Sequence, residues 1–458
     1  MRVTGAFLLT LLLVTGSADR SAAQPSEQPS QPNVVVFLAD DMRWDALAVA
    51  GNAVVHTPRL DELALEGVRF TNAYVTTSVC WVSRASIFTG QYMSRHGHTR
   101  GNTQIEPEAW SQTYPGLLRQ AGYWTGHVGK WHNGAIRPED FDFSTVQPMR
   151  HWFDDPEYGR IHVTELQARQ ALQFLRERPS DRPFLLTVAF VAGHAEDQAP
   201  EQYLAQDWSA RYYEGRRIPE PLRSGPEYFE ALPEFIRAEA NEGRVRYHWR
   251  FDTPERYQEY MTRYYRLITE MDDAIGRVID ELKAQGVYDN TLIVFIGDNG
   301  YFQADRGLAD KWYAYEESIR VPFIIRDPRA TESGVTRDEM VLNIDIAPTL
   351  IAAAGLPIPD GVQGTDLAPL YLSTTPVEWR DEFFYEHPTI TSRERIPASQ
   401  AVVRGDMKYI VYPEWEYDQL FDLTRDPGEL RNLVGDPEYT EELASMRRKL
   451  EEWREQVR

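Results

Sequence analysis

The sequence predicts an α/β fold, a large mixed but mostly parallel sheet flanked by helices, followed by a small C-terminal antiparallel α+β subdomain. Three observations carry this. The runs "NVVVFLADD", "PFLLTVAFVAGH", "TLIVFIGDNG" and "VPFIIR" are apolar without alternation, as strands buried on both faces are. Helical patterns separate them, the chain order of a parallel sheet. From about residue 372 the pattern changes to short strand-like pieces ("DEFFYEH", "QAVVRGDMKYIVY", "DQLFDL") and a charged terminal helix.

The N-terminus "MRVTGAFLLTLLLVTGSADRSAAQPSEQPSQPN" has one early arginine, an apolar run over Ala6–Val14 and small residues ending at Ala23. It reads as a secretory signal over 1–23, too short to span a bilayer, with a polar flexible leader over 24–32. The expectation is an exported protein, periplasmic or secreted. The main α/β domain is expected over 33–371 and the subdomain over 372–458. In the first of these, Tyr264, Leu267, Met271, Ile275, Val278 and Leu282 recur every three or four residues, and Gly286 ends that helix. In the second, Asp436 is the expected N-cap and Pro437 the first residue of the terminal helix. Residues 200–253, rich in Pro, Tyr, Arg and Glu, read as long surface excursions.

The formal net charge of −22 argues against nucleic acid or an anionic membrane surface as a partner. No later run is apolar enough for a membrane helix. Cys80 is the only cysteine, so no disulfide can form within the chain, and the thiol is either an inert buried side chain or a chemically used one.

In sheets of this kind ligands gather outside the carboxyl ends of the strands. One strand runs into Asp40-Asp41, a second into Asp298-Asn299 and a third towards His194. Taken singly, each is ordinary turn chemistry; together they mark a site. Asp40, Asp41, Asp298 and Asn299 offer only oxygen donors, which select calcium or magnesium over zinc or copper. Without a cation the three carboxylates would repel one another. Cationic groups come from elsewhere: Arg84, one helical turn after Cys80, Lys130 and His132 in "GKWHNG", and Lys311 in "GLADKWYAYEES". With His194 they form a donor set for a tetrahedral oxyanion beside a metal.

"CWVSRASIFTG" resembles the signature of the formylglycine-dependent sulfatases, members of the alkaline-phosphatase-like group. The resemblance continues through "NVVVFLADDMRWD", "AGYWTGHVGKWHNG", "DDAIGRVIDELKAQGVYDNTLIVFIGDNG", "DKWYAYEESIRVPFIIRDP", "NIDIAPTLIAAAGLP" and "DQLFDLTRDPGELRNLV". It implies that a maturation enzyme oxidises Cys80 to formylglycine. One hydroxyl of its hydrate would attack the sulfur of a sulfate ester, and the other would expel sulfate as the aldehyde re-forms. It also implies one calcium ion on Asp40, Asp41, Asp298 and Asn299 together with an oxygen from position 80. Asp298 would take the attacking hydroxyl's proton and Arg84 would brace the formylglycine. Lys130, Lys311, His132 and His194 would bind sulfate, His194 also protonating the leaving alcohol. A local cluster of cations and metal can bind an anion on an acidic protein.

Two departures from the family pattern stand out. Val82 replaces the usual proline or alanine of the signature, and Arg306 falls where many relatives carry histidine. Arg306 is expected to face a second anionic group on the substrate, such as a uronate or another sulfate. The substrate is expected to be a sulfated carbohydrate, because loop stretches such as "MRHWFDD", "RYHWRFD" and "YPEWEYD" offer aromatic faces. The alternatives are a phosphate mono- or diester hydrolase of the same group, or a non-catalytic carbohydrate-binding protein if Cys80 is not matured.

Overall fold

The computed structural model describes residues 1, 31–330, 332–373 and 375–458. The expected signal and most of the expected leader lie outside the described residues. The last two leader positions are tied down: the Gln31 side-chain amide donates to Ala354 O at 3.0 Å, and Pro32 O accepts from the Tyr123 hydroxyl at 3.0 Å. Among the described residues no helix is long and apolar enough to cross a membrane.

Strand β1 (Asn33–Ala39) is buried at every position. The sheet around it also contains β2 (Val68–Phe70), β3 (Trp124–Gly129), β4 (Phe143–Thr145), β5 (Phe184–Ala189), β6 (Thr291–Gly297), β7 (Phe323–Arg326) and β8 (Val335–Arg337). Their spatial order is β8-β2-β7-β6-β1-β5-β3-β4. The run from β6 to β4 is parallel, and β7 inserts antiparallel to both β6 and β2. This is the mixed, mostly parallel sheet that the unalternating apolar runs predict.

Helix α1 (Cys80–Thr89) is buried along its length except at Trp81 and stops where Gly90 takes a left-handed φ of 68°. Helices α2 (Val163–Glu177), α3 (Glu242–Arg250) and α4 (Pro254–Ala284) follow. Helix α4 starts well before Tyr264. The Thr253 side chain caps the Arg256 amide, Pro254 sits in the first turn, and Tyr257, Tyr260 and Met261 extend the apolar stripe. Tyrosines hid that extension because their rings pack like apolar side chains.

The span 200–253 departs from its expectation. It contains α3, several short helical turns and the buried residues Tyr203, Tyr213, Ile218 and Arg250, so much of it is packed structure.

The C-terminal sheet is an antiparallel meander of β9 (Glu382–His387), β10 (Ser399–Arg404), β11 (Met407–Tyr412) and β12 (Tyr417–Asp422). Helix α5 (Thr440–Gln456) buries Leu443, Met446 and Leu450. Asp436 accepts from the Glu438 amide as the predicted cap, but the first turn, Pro437–Tyr439, is a 3-10 helix. Phe383 and Phe384 of this sheet share an apolar cluster with Val79 and Val82, beside and within α1. Val82 therefore fills core and is fully buried.

Candidate active site

Register brings the predicted groups level. Across β1 and β6, Ala39 pairs with Gly297; Leu38 pairs with Ala189 across β1 and β5, and Gly129 pairs with Ala189 across β3 and β5. The next residues are therefore neighbours at one rim: Asp40 after β1, Asp298 after β6 and Lys130 after β3. His194 arrives a few residues beyond β5, in a turn where Gly193 has a φ of 98°. A Cβ at Gly193 would sit 2.1 Å from Asp40 O. Only glycine lets that turn lie against the Asp40 loop.

Carboxylate oxygens of Asp40, Asp41 and Asp298 and the Cys80 sulfur all lie within 4.8 Å of one another. Asn299 completes the set. Its Nδ2 donates to Asp41 Oδ1 at 2.8 Å and to Gly300 O at 2.9 Å, which orients its Oδ1. That oxygen is buried and has no hydrogen-bond partner among the described residues. A buried, unpaired amide oxygen beside three carboxylates fits a hard cation. The charge balance points the same way. At Asp298 burial and neighbouring Asp40 raise the pKa despite Arg84 and Lys130. At Asp40 burial is overcome by Lys130, His194, Arg84 and Lys311, which lower it. Crowded carboxylates of this kind are relieved by a divalent ion.

Cys80 opens α1 and is 3% exposed. Its sulfur lies 3.0 Å from Lys311 Nζ and 3.5 Å from Asp40 Oδ1. Burial pushes the thiol up to about 12, only partly opposed by Lys130 and Lys311. An unmodified Cys80 is therefore a neutral thiol and a poor nucleophile near neutral pH. Arg84 is buried one turn along, with Nε 2.8 Å from Asp298 Oδ2 and Nη1 donating to Lys130 O at 2.9 Å. Its Nη2 has no partner among the described residues. Lys130 pairs with Asp40 and Lys311 with Asp41, both in contact. His194 donates from Nδ1 to Ala195 O at 2.6 Å, leaving Nε2 3.7 Å from Asp41 Oδ2. His132 is pulled down to about 2 by burial and by Lys130 and Arg84, so its ring is neutral. Asp41, His132, Asp310 and Trp312 all have positive φ, strain concentrated around this one site.

Cys80, His132, His194 and Lys311 line a cavity of about 270 Å3. Sequence reasoning missed most of its remaining wall: Trp81, Trp312, Asp197, Glu242, Arg246 and Arg395. The aromatic faces here are Trp81 and Trp312, not those of the three stretches singled out above. Asn343 was missed as well; its side chain donates to Ser83 Oγ at 2.9 Å and accepts from the Thr76 amide at 3.1 Å, fixing α1 in place.

Arg306 corrects the sequence expectation. It is 1% exposed and is absent from the cavity wall. Its guanidinium reaches Glu317 at 3.2 Å and Glu429 at 2.8 Å and stacks 4.5 Å from the Tyr315 ring centre. Asp305, its neighbour in the chain, pairs with Arg43. Arg306 holds the fold together. Arg306→Ala is expected to cost about 3–5 kcal/mol of stability, because two buried ion pairs break and Glu317 and Glu429 are left with Arg223 and Lys408 respectively. Thermal unfolding would show that cost, and relative turnover of uronate-bearing and neutral sulfated sugars should not change.

The description "Sulfatase" belongs to the family model that matches residues 32–356. The chain belongs to the sulfatase family. A second model, "N-sulphoglucosamine sulphohydrolase, C-terminal", matches residues 304–456 of this sulfatase. A similar protein is the N-acetylglucosamine-6-O-sulfatase of Bacteroides thetaiotaomicron, 27% identical over 98% of this chain and 91% of its own. The structure of BT4656 in complex with its substrate D-glucosamine-2-N,6-O-disulfate superposes with a TM-score of 0.80 at 26% identity, covering 93% of this chain and 98% of that one. The phosphonate monoester hydrolase SpPMH from Silicibacter pomeroyi superposes with a TM-score of 0.79 at 25% identity, covering 93% and 96%. The sulfatase is a sulfuric ester hydrolase of the alkaline-phosphatase-like superfamily.

Proposed function

We propose that the enzyme releases sulfate from a sulfated carbohydrate, with formylglycine made from Cys80 as nucleophile and one calcium ion held by Asp40, Asp41, Asp298 and Asn299. The carrying observation is that Cys80, Lys311 and three carboxylates converge at level strand ends beside the unpaired Asn299 Oδ1. Calcium would neutralise the carboxylates and polarise a sulfate oxygen, while formylglycine would supply a hydrated aldehyde in place of the inert thiol.

The protein's own groups divide the remaining work. Lys130 and Lys311 donate to sulfate oxygens, and neutral His132 adds an uncharged N–H. Arg84 orients Asp298 through Nε, and its Nη2, without a partner among the described residues, is free to brace the formylglycine. Asp298 accepts the proton of the attacking hydroxyl. His194, donating to Ala195 O through Nδ1, carries a second proton on Nε2 as the imidazolium and gives it to the departing alcohol, returning to the neutral ring. Similarity to a relative named for a sulfated amino sugar supports the carbohydrate substrate. The reading further requires a formylglycine-generating partner, and the signal-like N-terminal sequence supports export to the periplasm or beyond.

Screening the matured enzyme against sulfated mono- and oligosaccharides tests the reading, with sulfate release as the readout. Likeness to the phosphonate hydrolase favours a second reading, a phosphoryl ester hydrolase. Matched aryl sulfate and aryl phosphate separate the two, and the sulfate should turn over faster. The metal has its own test. Chelation should lower the unfolding temperature as well as activity, and elemental analysis should find one calcium per chain. Calcium at about a hundred times its Kd should restore about 2.7 kcal/mol of stability. An unfolding temperature indifferent to chelator and calcium would remove the ion from the proposal.

A further inference from the structure

The Cys80 cavity has an outer half built differently from its floor. The floor is a cation cluster around the carboxylates. The outer wall carries the carboxylates of Asp197, Glu242 and Asp310 against the guanidiniums of Arg246 and Arg395, with Trp81 and Trp312 beside them. Arg246 of α3 is held by Asp197 in contact and by Glu242 at 2.7 Å. Arg395 comes from the β9–β10 connection of the C-terminal sheet, and its side chain is 41% exposed. Glu242 is the fastener between them. Its amide donates to Arg395 O at 3.0 Å, and its carboxylate contacts both guanidinium groups. The connection is pinched by the Ile390 amide donating to Ile396 O at 3.0 Å, and Ile390, Thr391 and Ile396 line the cavity with Arg395.

The chemistry of that wall defines its ligand. Alternating carboxylates and guanidiniums accept from and donate to hydroxyl groups without net attraction for a second anion, and indole faces cover apolar C–H surface. At about 270 Å3 the cavity lies below the range of about 300–1,000 Å3 of drug-sized ligand sites, room for one sugar ring beside a sulfate.

We propose that Glu242, Arg246 and Arg395 form a specificity subsite for the hydroxyl groups of a single sulfated sugar at a chain end, and that the β9–β10 connection closes the cavity to internal residues. This rests on the sulfatase reading above and deepens it to an exo-acting enzyme.

The test compares the best sulfated monosaccharide of a panel with 4-nitrophenyl sulfate. In Arg395→Ala and Glu242→Gln, KM for the sugar should rise about ten- to hundredfold with kcat nearly kept, while kcat/KM for the aryl sulfate falls about tenfold less. Arg395→Lys should recover part of the sugar affinity, and Glu394→Ala, on the same connection but outside the cavity wall, should change neither substrate. Oligosaccharides sulfated only at the non-reducing end should release sulfate, and those sulfated only internally should not. Equal losses on both substrates, an unchanged sugar KM, or ready release of internal sulfate would overturn the subsite. So would wild-type turnover of aryl sulfate with no sugar of the panel accepted, which leaves the sulfate chemistry standing. Wild-type protein inactive on every sulfate ester would instead overturn the underlying function, and the subsite with it.

Discussion

Cys80→Ser is expected to lower sulfate-ester turnover by about 10^4-fold or more, the scale of losing a covalent nucleophile. Position 80 is enclosed, in contact with Lys311 and close to Asp40, so a serine there keeps the shape and loses the chemistry. A serine hydroxyl left unoxidised has no second hydroxyl with which to expel sulfate, so the loss is read on protein whose position-80 peptide has the mass of serine. The companion measurement is the mass of the Cys80 peptide from active wild-type enzyme, which should be that of formylglycine rather than cysteine. A fully active preparation carrying the unmodified thiol would defeat the formylglycine proposal. In that case activity should climb with pH towards the raised thiol value of about 12. If instead the native peptide is all cysteine and no ester is turned over, the carbohydrate-binding alternative gains the ground.

Lys408→Met should be strongly destabilising although it lies away from the cavity. Lys408 on β11 is fully buried, 2.7 Å from Glu429 and 2.9 Å from Glu316. Glu429 also binds Arg306, and Arg306 binds Glu317, so one buried ionic chain ties the C-terminal sheet to the segment after β6. Removing its lysine leaves Glu429 with Arg306 and Glu316 with Arg320 at 3.8 Å, and breaking two buried pairs at once costs about 3–5 kcal/mol, read as a fall in unfolding temperature. Activity should fall too, because the same sheet carries Arg395 to the cavity. The network also predicts acid sensitivity. Burial would raise Glu317, but Arg306 and Arg223 overcome it and hold the carboxyl down to about 2. Its stabilisation is therefore complete above its ordinary value near 4.5 and is lost as pH falls towards 2. An unfolding temperature unchanged by Lys408→Met would mean the network contributes no net stability.

Sequence reasoning reached the floor of the site and little of its wall. Asp40, Asp41, Asp298 and Asn299 were legible because each pair ends a fully apolar run, and strands buried on both faces can place polar groups only at their ends. Cys80 was legible as the lone thiol and through the resemblance its signature carries, and helical spacing set Arg84 on the same face. Glu242 and Arg246 share that spacing on α3, yet nothing in "NEGRVRYHW" distinguishes a cavity-lining helix from a solvated one.

Arg306 shows the limit most clearly. A cation replacing a family histidine suggests a new substrate contact, but the direction of its side chain depends on Glu317 and Glu429. Glu429 lies in the distant C-terminal segment, and no local pattern encodes that meeting.

The amino-acid order by itself determined the parallel sheet, the antiparallel appendage and the identity of the groups at the strand ends. These follow from periodicity and burial, which are properties of short segments. Tertiary structure alone decided which arginines face the cavity, which are locked in the fold, and that the last sheet helps to close the site. Such outcomes depend on charge pairs between segments far apart in the chain, formed only once both partners are buried together.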